Sequence, residues 1–209
     1  MFLKIFEMNI WQLFAKSTPK HKTTPKPSLM AEPASHFTYD FTKDRKGLVI
    51  KGIAGVIGRN LVFPSEIEGY PVVELESLRG LISVQSIVIP ESVKIIGENC
   101  FWSSFLSVET YLESVTIQGT GVTIGRSAFM DQRSLRSVII KGTGVTVDHE
   151  AFKDCNHLKT LTFPDGDNVL IPKKGGFFQK ISGKDAFSGC TKLPLAMRLR
   201  LEAMGFDMP

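Results

Sequence analysis

Apolar residues along this chain recur in a fixed phrase. Ser114 to Gly125 read SVTIQGTGVTIG and Ser137 to Asp148 read SVIIKGTGVTVD, an offset of 23 residues with 8 of 12 positions identical. Each copy is followed at the same distance by a small residue and a phenylalanine, Ala128-Phe129 and Ala151-Phe152. The unit is L-x-x-V-x-I, a turn, V-T-I-G, then x-x-A-F and a few polar residues. Apolar residues two apart, such as Val138 and Ile140, lie on one side of a strand. The pattern predicts a strand, a turn, a second short extended piece and a tight helical turn at the Ala-Phe pair. A 23-residue unit has no room for a full crossover helix. It buries its apolar side only against copies of itself, so the repeat predicts a solenoid.

The period extends in both directions. Strand phrases end at Phe63, Ile89, Ile117, Ile140 and Phe163, and small-Phe pairs stand at Cys100-Phe101 and Ala186-Phe187 as well. Five residues are inserted between Phe101 and Ser114, and twelve between Phe163 and Ala186. The expected fold is mainly β: about five coils with short parallel strands. Turns at Gly119-Thr120-Gly121 and Gly142-Thr143-Gly144 supply residues that accept positive φ. Phe37, Tyr39 and Phe41 alternate with polar residues, and Leu48-Val49-Ile50 follow a turn, which reads as a β-hairpin covering the first coil. At the other end LAMRLRLEAM (Leu195–Met204), stopped by Gly205, predicts a helical cap laying Leu195, Leu199 and Met204 on the last coil.

Charge changes the picture at the N-terminus. The chain carries net charge +4, and residues 1–30 hold five lysines against Glu7, so the rest balances to zero. A nucleic-acid-binding domain carries its charge on the folded part, so that class is excluded. Residues 1–35 read as a disordered basic tail, rich in Pro, Lys, Ser and Thr after Lys16, and residues 36–209 as the repeat domain. Met1–Ala15 is apolar but broken by Lys4, Glu7, Asn9 and Gln12, unlike a secretory signal. It reads as residues upstream of a start at Met30, or as a helix lying on a membrane surface. That segment offers the one expected membrane contact.

The units resemble a known family. ESVKIIGENCF and AFKDCNHLKTLTFP are similar to the BspA-type, or Treponema-type, leucine-rich repeat: a strand ending I-P, S-V-x-x-I-G, A-F, then C-x-x-L. The resemblance runs from about Asn60 to Leu193, with FPSEIEGYPVVEL (Phe63–Leu75) similar to an opening repeat. Cys100 stands where Ala is usual and Asp148 where Gly is usual, and the first unit lacks its Ala-Phe pair. The resemblance implies a bacterial protein–protein interaction module of the adhesion kind, at the cell surface or in the periplasm.

Little else in the sequence suggests chemistry. The three cysteines occupy small or buried slots of the repeat and read as core residues. His149, Glu150, Cys155 and His157 have zinc-ligating atoms. However, Asp148-His149-Glu150 fills the polar connector slot of Gly125-Arg126-Ser127, and Cys155 belongs to a buried one. No metal, no cofactor and no catalytic residue is expected. The G-T-G turns lack the Lys-Ser/Thr and following helix of a phosphate loop. What remains is the outward side of the strand sheet. Its first column is Gln85, Glu113, Arg136 and Lys159; its second is hydroxylic, Ser86, Ser114, Ser137 and Thr160. Its third is β-branched, Val62, Val88, Thr116, Ile139 and Thr162. Of these, Gln85, Val88, Glu113, Thr116, Arg136, Ile139, Lys159 and Thr162 are the expected contacts for a protein partner, host or envelope. Self-association through this face or the end caps is the alternative. The insert around Lys173–Phe178 reads either as a functional loop or as Phe177 and Phe178 folding over the core.

Overall fold

Each V-x-I phrase becomes a strand whose two branched side chains face inward. The structure, a computed structural model, describes residues 30–78, 81, 83–103, 111–164 and 185–208. The tail expectation for residues 1–29 and the insert around residues 166–178 lie outside these. β3 (Asn60–Val62), β6 (Ser86–Ile89), β8 (Ser114–Ile117), β10 (Ser137–Ile140) and β12 (Thr160–Thr162) form one five-stranded sheet. All its pairs are parallel, without register slip. The inward set Leu61, Ile87, Ile89, Val115, Ile117, Val138, Ile140 and Leu161 is at most 3% exposed.

The second extended pieces form the opposite wall. Here β5 (Tyr70–Leu75), β7 (Ile95–Ile96), β9 (Thr123–Ile124) and β11 (Thr146–Val147) pair in parallel. Together the walls close about four turns of a β-solenoid. The predicted hairpin is β1 (Phe37–Phe41) against β2 (Leu48–Ile53), and β2 adds to β5 as the first strand of that wall. Ahead of it a short 3-10 turn spans Ala34–His36, and the Glu32 amide donates to the Val62 carbonyl at 2.9 Å. A short antiparallel hairpin, β4 (Glu66–Ile67) on β5, opens the first coil.

The third wall is built from the small-Phe pairs. The amides of Phe101, Phe129 and Phe152 donate to the carbonyls of Ala128, Ala151 and Ala186 at 2.7–2.8 Å. The same bond joins Leu78 N–H to the Cys100 carbonyl at 2.7 Å. Ser77-Leu78 is therefore the pair that the first unit lacks in sequence, with Leu in the Phe slot. The rings stack along the axis. Phe101, Phe129, Phe152 and Phe187 have successive centroid distances of 5.0, 5.1 and 5.3 Å, and the last two pairs are parallel to within 6°. Phe63 and Phe37 extend the row at one end, and Phe206 ends it edge-on at 5.2 Å. Cys100, Cys155 and Cys190 are fully buried and free. Burial pushes the thiols of Cys100 and Cys155 up, away from the reactive thiolate.

The G-T-G turns divide their labour. Gly121 and Gly144 take positive φ, 66° and 64°, as expected. Gly119 and Gly142 do not; they are needed for space. A Cβ on Gly142 would overlap the Gly119 carbonyl of the coil below, and one on Gly119 would lie 2.8 Å from the Val93 carbonyl.

The terminal helix α1 (Leu195–Ala203) forms, and Gly205 stops it with φ 95°. Its packing face differs from the one expected. Leu201 is buried and Met197 and Met204 lean on the core, whereas Leu195 and Leu199 are 63% and 54% exposed. Helical spacing puts 197, 201 and 204 on one face and 195 and 199 on another. Arg200 fixes the choice: its guanidinium lies 4.0 Å over the Phe163 ring and donates to the Pro164 carbonyl. Among the described residues no helix is long and apolar enough to cross a membrane.

Candidate functional site

Parallel pairing in register turns sequence columns into spatial ones. The first column is a direct backbone ladder. The amides of Gln85, Glu113, Arg136 and Lys159 donate to the carbonyls of Arg59, Gln85, Glu113 and Arg136 at 2.7–2.9 Å. Arg59 therefore begins the column, a position hidden in the sequence because Gly58 stands where other units carry Leu or Val. Ser86, Ser114, Ser137 and Thr160 are register partners, and Asn60 precedes them. The Ser86 hydroxyl donates to Asn60 Oδ1 at 2.7 Å. Val62, Val88, Thr116, Ile139 and Thr162 form the third column by the same pairings.

These columns point away from the core, as the two-residue period requires. Glu113, Arg136, Ile139, Lys159 and Thr162 are exposed, and Gln85, Val88 and Thr116 are half-buried. Ile139 is thus the one large aliphatic of this face that is exposed, at 37%, and Val88 less so than its position suggests. Neighbouring strands lie about 4.8 Å apart, so the face is a regular, gently mixed surface: acid beside base at Glu113 and Arg136, hydroxyls alongside, a branched apolar stripe beyond. On the turn edge, a cleft of about 460 Å³ is lined by Glu91, Lys94, Gln118, Thr120, Lys141 and Gly142. Lys94 there donates to the Glu91 and Thr120 carbonyls.

The four residues weighed as zinc ligands separate. Cys155 is buried and its thiol donates to the Phe129 carbonyl, while His157 is exposed with Nδ1 2.7 Å from the Arg133 carbonyl. His149 and Glu150 are not solvated connectors, as their slot suggested. They are half-buried and meet Asp185 of the next coil. His149 Nδ1 lies 2.6 Å from Asp185 Oδ1 and its Nε2 lies 3.5 Å from Glu150 Oε2. Lys153 donates to Glu150 Oε1 at 2.6 Å. Burial pushes the Glu150 pKa up, but the Lys153 hydrogen bond and the charges of His149, Lys153 and Arg126 outweigh it and hold the carboxyl below its ordinary range.

A second polar group sits deeper. Asp131, at φ 60°, is 4% exposed, and neither carboxylate oxygen has a hydrogen bond of ordinary geometry. Burial raises its pKa first and the Asp154 charge adds to that, against the opposing pull of Arg133 and the Trp102 indole. A carboxylate with a raised folded pKa lowers stability wherever it is ionised in both states, and the penalty fades as pH falls through the raised value. Asp131→Asn, which also tolerates positive φ, is therefore expected to raise stability by about 1 kcal/mol near neutral pH. That gain should shrink toward the ordinary Asp range. Urea titrations at several pH values check it; a loss of stability at neutral pH would contradict the assignment.

Coils stacked through two parallel sheets and a ring-lined turn define a repeat solenoid with an accessible strand face. Residues 105–195 match the family model of the BspA type Leucine rich repeat region, in six copies. The matched residues carry BspA-type leucine-rich repeats. The coils before residue 105 lie outside that match and follow the same geometry through β3 and β6. Among solved structures, the chain is similar to the Leucine Rich Repeat protein of T. pallidum, with 23% identity over 86% of this chain and 98% of that one, TM-score 0.41. It is also similar to a leucine rich cell surface protein of Faecalibacterium prausnitzii A2-165, with 26% identity over 68% of this chain and 38% of that one, TM-score 0.49. A leucine-rich repeat protein of Bacteroides ovatus ATCC 8483 matches at 19% identity over 66% and 55%, TM-score 0.23. No curated protein matches the chain.

Proposed function

We propose that this protein is a non-catalytic interaction module that binds a host or envelope protein through the strand face. Leucine-rich repeats of this family point to a protein-interaction or surface role in general. The observation that carries the finer reading is the unbroken register of three outward columns across five strands. Such a face offers rigid contacts at fixed spacing, which lowers the entropy cost of binding. Gln85, Glu113, Arg136 and Lys159 supply charge pairing along one side, and Val88, Thr116, Ile139 and Thr162 supply the desolvated stripe.

The test is the double substitution Val88→Lys and Ile139→Lys, with wild type and variant compared for binding to envelope extracts and immobilised host matrix. Both side chains point outward, so folding should be retained by circular dichroism. Captured partners should bind about tenfold more weakly, equivalent to roughly 1.4 kcal/mol. Unchanged capture removes this face from the proposal.

One observation favours a second reading, self-association at the end cap. Leu195 and Leu199 form an exposed apolar pair on the outer side of α1. Light scattering of the full chain distinguishes the two: a strict monomer at high concentration eliminates it.

A further inference from the structure

The slot immediately before each small-Phe pair carries Asn99, Ser127, Glu150 and Asp185 in successive coils, and the slot before that carries Glu98, Arg126 and His149. In the earlier coils these slots hold an amide, a hydroxyl and solvated charges. Arg126 and Glu98 are 4.0 Å apart and about half exposed. The His149 coil differs in kind. An imidazole and two carboxylates from adjacent coils face one another, each offering one ligand atom within 4.8 Å of the others.

The spacing suits coordination. A tetrahedral ion with nitrogen and oxygen ligands at about 2.0–2.1 Å has ligand–ligand edges of roughly 3.3 Å. Only one imidazole nitrogen can bind the ion: His149 Nδ1 lies 2.6 Å from Asp185 Oδ1, and one ligand atom from each of the three residues lies within 4.8 Å of the others, so small side-chain rotations bring the set to that edge. The surrounding groups orient the ligands as second partners do in metal sites. Lys153 takes Glu150 Oε1 and leaves Oε2 turned to the imidazole, where the Ser127 hydroxyl lies 3.4 Å away. The Glu150 amide lies 3.4 Å from Asp185 Oδ1. The side chains of His149, Glu150 and Asp185 are 19%, 16% and 33% exposed, sheltered yet reachable from solvent.

We propose that His149, Glu150 and Asp185 bind one divalent transition-metal ion of the zinc class, joining the coil at Ala151-Phe152 to the coil at Ala186-Phe187. An imidazole nitrogen favours zinc-class ions over magnesium and calcium, which prefer all-oxygen sets. Three protein ligands leave a coordination position for water, so the ion exchanges. Binding replaces the contact between His149 Nδ1 and Asp185 Oδ1. Because Asp185 lies 35 residues beyond Glu150, across the twelve-residue insertion, the ion ties the last coil and its cap to the body of the solenoid. This inference is independent of the strand-face reading.

The test uses the full chain, stripped with chelator, then titrated with Zn²⁺, Mg²⁺ and Ca²⁺ by calorimetry and followed by thermal unfolding. One Zn²⁺ per chain and a zinc-dependent rise in Tm are expected, with no comparable rise from Mg²⁺ or Ca²⁺. The isosteric variant Asp185→Asn should bind Zn²⁺ at least about tenfold more weakly, and His149→Ala should lose it, while His157→Ala binds as wild type. Asp185→Asn preserves shape, so the result stands even if His149→Ala fails to fold. Absence of zinc uptake overturns the proposal, as do uptake unchanged in Asp185→Asn and an equal Tm rise with Ca²⁺ or Mg²⁺.

Discussion

Replacing Gly142 with alanine is expected to destabilise the solenoid by about 3 kcal/mol or more, because the added methyl overlaps backbone rather than a movable side chain. The Gly119 carbonyl and the Thr120 amide of the coil below occupy the place a Cβ would take. Relief requires separating the two coils at that turn, which stretches the neighbouring bond from the Lys141 amide to the Ile117 carbonyl, now 2.8 Å. The comparison that makes this decisive is Gly144→Ala in the same turn. Gly144 has open space around its Cβ direction but φ 64°, so its cost is the left-handed penalty of roughly 1–2 kcal/mol. Urea midpoints of the two variants, with equal m-values, check the ordering. A Gly142→Ala variant as stable as Gly144→Ala would mean that the turns are not stacked this closely.

Phe152→Ala is expected to cost about 3–5 kcal/mol, the range for emptying an aromatic site in a packed core. Phe152 is fully buried and its ring lies parallel between Phe129 and Phe187, at 5.1 and 5.3 Å. Each coil contacts only its neighbours, so a void here removes contacts on both sides at once. It also weakens the junction with the last coil, where Asp185 precedes the Ala186-Phe187 pair. Set against a total of about 5–15 kcal/mol for an ordinary domain, this leaves little. Equilibrium unfolding measures it, and a change below about 1 kcal/mol would show that the ring row does not carry the core.

Much of the architecture could be read from the residues because a repeat repeats its physics. The two-residue period in Val138 and Ile140, or in Val115 and Ile117, assigns an inner and an outer side to each strand, and the 23-residue offset makes the register uniform. Deviations from the period hid the rest. Leu78 takes the Phe slot of the first coil, and only its bond to the Cys100 carbonyl identifies it. Phe37, read as part of a hairpin, and Phe206, which lies beyond the predicted helix, join the ring row at its ends. Asp185 stands beyond an insertion, so its meeting with His149 and Glu150 had no local signal. The face of α1 turned on Arg200 and Phe163, a contact between distant segments.

Local pattern therefore determined the unit, its strands, the turn glycines and the outward columns, since each depends on alternation and backbone sterics within one coil. Tertiary structure decided which residues of different coils share a space: the continuous stack of rings, the backbone contact at Gly142, the burial of Asp131 and the grouping of His149, Glu150 and Asp185. Those follow from how far one coil is displaced on the next, and that displacement is set by packing and hydrogen bonding across the whole stack.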